Sequence, residues 1–264
     1  MKNMNFSKLK NLFNKAKEDF SYNHKEYFDR LNDLLEYKIK DGYETIFVLA
    51  TDIKKENGKI VFKERDDHGA LDDYFRLDAI IKLINEGKVE KVFLVGGCNK
   101  DIGKFRTEAM KDYVKTKLKL KEGLENKLSE LRCCPGNTCG NIVEIVNYLN
   151  REQAKGEKIG VLTNIYHIPR IEELIKDCKG SYLNDIEFIP AETVLNTEEK
   201  EIMERIINFY SQKETKKRFS SEINGIRSIK RGKYTCKKYL ALITEINECL
   251  HKTGSNSVQL AEPI

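Results

Sequence analysis

The chain opens on helical spacing. Phe6, Leu9, Leu12, Phe13, Ala16 and Phe20 share one stripe, continued by Tyr27, Leu31 and Leu34-Leu35, with lysines on the opposite face. The stripe predicts helices within residues 6–38 that pack on the rest of the domain. A membrane-surface helix is the weaker reading, because Glu18 and Asp19 dilute the basic face.

The pattern then changes period. Thr45-Ile46-Phe47-Val48-Leu49-Ala50 is a continuous apolar run, as expected of a strand buried on both faces of a parallel sheet. It ends at Thr51-Asp52, and the polar stretch from Ile53 to Ala70 predicts a loop. Asp72-Asp73 opens a helix with apolar positions Phe75, Leu77, Ala79, Ile80, Leu83 and Ile84, which Gly87 closes. A second strand, Lys91 to Val95, ends in Gly96-Gly97-Cys98-Asn99 and precedes a helix from Phe105 to Leu118. A shorter strand, Glu130 to Cys134, stops at Pro135-Gly136 before a helix from Gly140 to Asn150. The fourth strand, Lys158 to Leu162, breaks into Thr163-Asn164-Ile165-Tyr166-His167. The chain restarts as a helix at Pro169, whose missing N–H suits a first turn. Asp185 to Pro190 is a fifth strand, and Glu198 to Tyr210 and Tyr234 to His251 read as closing helices.

Strand, polar break and helix recur four times, the signature of βαβ units. They predict a three-layer α/β/α Rossmann-like domain with a mostly parallel sheet. No linker rich in Pro, Gly or Ser divides the chain. Residues 1–40 are therefore read as a helical extension packed on the core, 41–195 as the α/β core, and 196–264 as a C-terminal helical extension of the same domain.

Composition narrows the class without assigning a function. Lys+Arg 47 against Asp+Glu 42 leaves a net charge of +5, too small and too dispersed an excess to argue for nucleic acid. No run approaches the roughly 20 apolar residues of a membrane span, and the start lacks the apolar segment of a signal peptide. Seven cysteines, an odd number, point to free thiols in a reducing compartment, and a cytoplasmic location is expected.

The polar breaks carry the candidate chemistry, since ligands of open α/β sheets bind beyond the carboxyl ends of the strands. The first strand supplies Thr51 and Asp52, the second Gly96, Gly97 and Asn99, the third Asn137, Thr138 and Asn141, and the fourth Thr163, Asn164 and His167. Arg76, Arg106, Glu108 and Arg170 sit in the early turns of the helices that follow. Gly96-Gly97 suits either a tight turn or a close backbone approach to a ligand, and Asn137-Thr138 suits either a helix cap or a ligand contact. His167 titrates near neutrality, so it is a candidate general acid or base, an anion donor or a structural polar residue. Asp52 and Glu108 are its candidate carboxylate partners. Cys133, Cys134 and Cys139 lack the paired spacing of a zinc site, and no metal site is expected. No nucleophile elbow, P-loop or dinucleotide glycine fingerprint occurs. The basic run Lys216-Lys217-Arg218, Arg227 and Lys230-Arg231, around Glu222-Ile223-Asn224-Gly225-Ile226, reads as a solvated loop. A less favoured alternative folds it over the sheet edge, where it would place charge beside a phosphate.

Arg76-Leu77-Asp78-Ala79 with Gly87, Val95-Gly96-Gly97, Thr107-Glu108-Ala109-Met110, Asn137-Thr138-Cys139-Gly140-Asn141 and Leu162 to Arg170 follow one another in order over residues 43–195. This order resembles the YdcF/SanA/ElyC family. Val95 replaces the family's Ser before the glycine pair, Gly140 replaces an acidic residue, and Ala50-Thr51-Asp52 replaces a glycine-bearing turn. The resemblance implies a Rossmann-like domain that binds a small anionic or nucleotide-like ligand at the sheet edge, with S-adenosylmethionine as the implied cofactor. SanA and ElyC are membrane-anchored and tied to the cell envelope; no anchor is expected here. Two functions are carried forward. In one, the pocket binds such a ligand without turnover. In the other, it belongs to a hydrolase or transferase of envelope or phosphorylated-metabolite metabolism. There His167 and Glu108 would move protons while the arginines, Asn137 and Thr138 hold the anion.

Overall fold

The computed structural model describes residues 4–20, 24–40, 42–50, 52–71, 73–118, 124–133, 136–152, 156–178, 186–195 and 200–236. In chain order the elements are α1 (Met4–Asp19), α2 (Lys25–Leu34), β1 (Tyr43–Leu49), β2 (Ile53–Glu56), β3 (Lys59–Phe62), β4 (Arg65–Asp66), β5 (Gly69–Ala70) and α3 (Asp73–Asn85). Next come β6 (Val89–Asn99), β7 (Lys104–Phe105), α4 (Arg106–Leu118), β8 (Leu128–Cys133) and α5 (Thr138–Glu152). β9 (Ile159–Thr163), a 3-10 turn (Ile165–His167), α6 (Ile168–Asp177), β10 (Ile186–Pro190), α7 (Ala191–Val194), α8 (Lys200–Ser211) and α9 (Lys213–Lys230) complete the order.

Five strands pair in parallel in the order β10-β9-β1-β6-β8, and short β7 adds antiparallel to the end of β6. Counting these five in chain order gives 3-2-1-4-5 across the sheet, the dinucleotide-fold order, which reverses between β1 and β9. Alternation along each strand sorts side chains into two cores. Ile46, Val48, Val92, Leu94 and Leu162 face α3 and α4, while Phe47, Leu49, Phe93, Val95 and Val161 face α5 and α6. The result is the expected three-layer α/β/α domain with a mostly parallel sheet.

Leu9 and Phe13 of α1 are fully buried, and the Phe13 ring meets Tyr210 and Phe219 edge-on at 5.2 and 6.0 Å. Each such side chain contributes about 1.5–3 kcal/mol through burial. From α2, the Tyr27 hydroxyl donates to the Tyr166 carbonyl at 2.7 Å, and Arg30 donates to Glu172 at 2.6 Å. The amino-terminal helices thus grip the segment that carries His167. No helix among the described residues is long and apolar enough to cross a membrane.

Three local expectations give way to other structures. The stretch Ile53–Ala70 is not a plain loop: it folds into two hairpins, β2–β3 and β4–β5, with Asn57-Gly58 in left-handed conformations at the first turn. Gly96 and Gly97 do not end their strand. They remain in β6 and pair with Arg132 and Cys133 of β8. The basic run after Lys213 is the helix α9 rather than a solvated loop, because Phe219, Ile223 and Ile226 put an apolar stripe on the domain. The closing helix expected from Tyr234 to His251 lies, beyond Cys236, outside the described residues.

Candidate functional site

Where the strand order reverses, the tips of β1 and β6 and the segments after β8 and β9 surround a cavity of ≈ 570 Å³, roofed by α9. Its size falls in the range of small-molecule sites. Four arginines (Arg76, Arg106, Arg170 and Arg218) and three carboxylates (Asp52, Asp66 and Glu222) line it. A larger cavity of ≈ 690 Å³ lies beside α8, lined by Phe62, Tyr74, Glu201, Arg205 and Phe209, and receives none of the strand-tip residues proposed from the sequence.

His167 lines the cavity. The 3-10 turn after β9 ends on it, and Pro169 starts the next helix, so the turn presents the ring to the cavity. Its Nδ1 lies 2.9 Å from Glu222 Oε2, and its Nε2 lies 3.5 Å from Thr138 Oγ1. Glu222 is 1 % exposed and also has Arg170 at 3.8 Å and Arg218 at 4.0 Å. Burial pushes the Glu222 pKa up, but the charges of His167, Arg170 and Arg218 outweigh it and hold the carboxyl below its usual 4.5. Burial lowers the His167 pKa below its usual 6.5, against the pull of Glu222 and with help from Arg170 and Arg76. At neutral pH the pair is a neutral imidazole beside a carboxylate. With the proton on Nδ1 donated to Glu222, Nε2 is the acceptor nitrogen and has the Thr138 hydroxyl beside it.

The expected carboxylate partners of His167 are thereby replaced. Asp52 lines the cavity but is tied elsewhere: Lys63, Arg106 (Nη2 at 3.0 Å) and Asn99 (Nδ2 at 2.8 Å) all donate to it. Burial raises the Asp52 pKa, yet Lys63 and Arg106 together keep it below 3.8, so it remains an ionised structural anchor. Glu108 is not among the cavity residues. One step along α4 from the buried Thr107, it turns outward to ion pairs with Arg132 at 3.2 Å and Lys104 at 3.8 Å. Thr51 lies outside the described residues.

The other candidates divide between lining and support. Gly96 and Gly97 reach the cavity, and they also allow close packing: a Cβ on Gly96 would meet that of Ala50 at 2.6 Å, and one on Gly97 would collide with the Gly136 backbone. Arg106 donates to the Gly136 carbonyl at 3.0 Å besides Asp52, and so laces three strand tips together. Asn137 caps α5, its Oδ1 accepting from the Gly140 N–H at 2.9 Å, while Asn141 accepts from the Cys133 thiol. Arg76 is buried and donates to Asn164 and to the Leu49 carbonyl at 2.8 Å. Thr163 and Asn164 lie beneath the cavity rather than on its wall. Asn164 and the Ile165 N–H both donate to buried Glu192, which also accepts from Tyr210 at 2.5 Å.

Arg170 differs from the other cations. Its guanidinium makes no hydrogen bond among the described residues, and its Nε is buried without an acceptor. Tyr234 supports it from one side at 5.4 Å, and Gly225 is bare opposite it, where a Cβ would come within 2.7 Å of Nε. The sequence reading did not count Glu222 or Asp66 as site residues, and brought Arg218 to the sheet edge only in its less favoured alternative. Glu222 carried one signal, a lone acid in the middle of a basic run. No group of three metal-ligating side chains occurs among the described residues.

S-adenosylmethionine would bring a sulfonium cation here. The lining carboxylates are engaged by Lys63 and Arg106, by Arg218, or by His167, and the least engaged charge is itself a cation, Arg170. The donor set does not fit that group. No family model, curated protein or solved structure matches the chain.

Proposed function

We propose that this cavity binds a small anionic ligand through Arg170, and that the His167–Glu222 pair acts on it, making the protein a hydrolase or transferase of phosphorylated or related small molecules. What supports the reading is the dyad itself: a buried carboxylate orients an imidazole in the wall of a cavity that also holds Arg170, whose guanidinium has no hydrogen-bond acceptor among the described residues. The motif order shared with the YdcF-like family supports placing the ligand at this edge. Charge supports an anion, since four lining arginines face three carboxylates that already have partners.

A second reading, a nucleotide-like ligand held without turnover, is favoured by the 3-2-1-4-5 strand order, which puts the crevice where dinucleotides bind in such sheets. One screen separates the two. Melting temperature is measured with phosphate, pyrophosphate, sugar phosphates, nucleotides and S-adenosylmethionine, and product release is followed with each phosphorylated compound. A ligand present at 100 times its Kd stabilises by about 2.7 kcal/mol, a readily measured shift. Anion-dependent stabilisation lost in R170A, with turnover lost in H167N, supports the enzyme. Stabilisation without turnover supports the binding module. No shift with any anion defeats both.

A further inference from the structure

We infer that His167 Nε2 is a phosphoryl acceptor, and that the ligands turned over at this site are phosphoryl donors whose leaving group is stable as an anion: acyl phosphates and phosphoanhydrides. The inference rests on the anion-binding reading above and deepens it.

Among the side chains that line the cavity and could act as nucleophiles, Thr138 and His167 stand against each other. Thr138 has a hydroxyl 3.5 Å from Nε2, but an alcohol attacks only after a base removes its proton. His167 needs no such step. With Nδ1–H given to Glu222 at 2.9 Å, Nε2 keeps its lone pair, beside the Thr138 hydroxyl in the cavity wall. Glu222 also sits where it offsets the positive charge that the ring acquires on attack. The phosphoryl oxygens have donors at hand: the Arg170 guanidinium, which has no competing hydrogen bond among the described residues, and the Thr138 hydroxyl. Thr138 opens the 15-residue helix α5, whose dipole adds favourable potential for the anion. The next N–H groups of that helix are already spent, Cys139 N on Tyr234 and Gly140 N on Asn137, so Arg170 carries the larger part of the recognition.

The chemistry balances without a further reactant. The Nε2 lone pair forms the N–P bond as the bridging P–O bond breaks, and that electron pair leaves on the carboxylate or phosphate, which needs no proton at neutral pH. The ring becomes a cation held by Glu222. Water then attacks phosphorus, the N–P pair returns to Nε2, and dihydrogen phosphate leaves with both protons of the water. The contacts of the ring itself are the Glu222 carboxylate and the Thr138 hydroxyl, neither of which protonates a poor leaving group at neutral pH, and this favours activated donors over alkyl phosphates.

The test is rapid-quench labelling of the full chain with acetyl phosphate and with pyrophosphate, followed by peptide mass spectrometry. The expected product is one phosphoryl group on His167, stable in alkali and lost in acid. It should be absent in H167N and H167Q and reduced at least about tenfold in R170A, each variant being checked for a cooperative melting transition well above the assay temperature. Acid-stable label on Thr138 would overturn the inference. So would turnover with no trapped label, since His167 would then be moving a proton to or from water while the anion-binding reading stands. Thermal stabilisation by these donors without label or turnover also overturns it and leaves a binding module. Failure of every anion to shift the melting transition removes the underlying reading as well.

Discussion

His167 and Glu222, 55 residues apart in sequence, meet through a 2.9 Å contact between Nδ1 and Oε2 in the wall of the strand-tip cavity. The histidine comes from the turn after β9 and the carboxylate from α9, so the site is complete only when α9 is docked on the core.

The two partners set a pH dependence of stability with a definite sign. Both have folded pKa values below their ordinary ones, so the unfolded chain binds protons more readily and stability falls on acidification. The His167 share is complete above 6.5 and is lost as pH falls below it; the Glu222 share is lost below 4.5. In urea titrations the stability difference between wild type and H167N should therefore shrink as pH drops through 6.5. A difference that grows on acidification would show that the ring is charged in the native state.

Glu192 should behave in the opposite way. Burial dominates there and raises its pKa above 4.5 even though Tyr210, Ile165 and Asn164 donate to it. Its stabilising contribution is full below 4.5 and declines as pH rises through the folded value. The stability advantage of wild type over E192Q should thus narrow with rising pH, whereas that over E222Q should widen. Parallel slopes for the two variants would contradict these environments.

Asp52 is expected to matter for stability rather than as a base. D52N leaves Lys63 and Arg106 without their carboxylate in a half-buried site, at a cost of about 2 kcal/mol. D52N and R106Q should be non-additive, because each removes the same contact; independent effects in a double-mutant cycle would refute the pairing.

Gly97 tests the close crossing of the strand tips. G97A puts a methyl group into the Gly136 backbone, and overpacking of this kind costs about 1–3 kcal/mol. A control, G232A, replaces a glycine with open space around it but a φ of +66°, so its smaller cost comes from backbone strain alone. Equal urea midpoints for G97A and wild type would show that the segment after β8 moves aside freely.

Much of this molecule is written in local pattern. The apolar run Thr45–Leu49 specifies a strand covered on both faces, and the polar residues that break each such run specify the edge where a ligand site forms. Gly96, Gly97, Asn137, Thr138, His167 and Arg170 reach that edge because β-strand ends and helix starts are set by residues close in sequence. What the local pattern leaves open is which distant element covers the edge. A basic run reads as solvated because its charges dominate its composition, yet Phe219, Ile223 and Ile226 repeat at helical spacing, and their packing turns Arg218 and Glu222 inward. Glu108, by contrast, lies one residue from buried Thr107 and faces solvent, since about 100° of helix rotation separates neighbours. The sequence by itself determined the layers and the edge. Only the tertiary structure decided that His167 pairs with Glu222, because that contact depends on how α9 packs across the sheet, and packing is a property of the whole core.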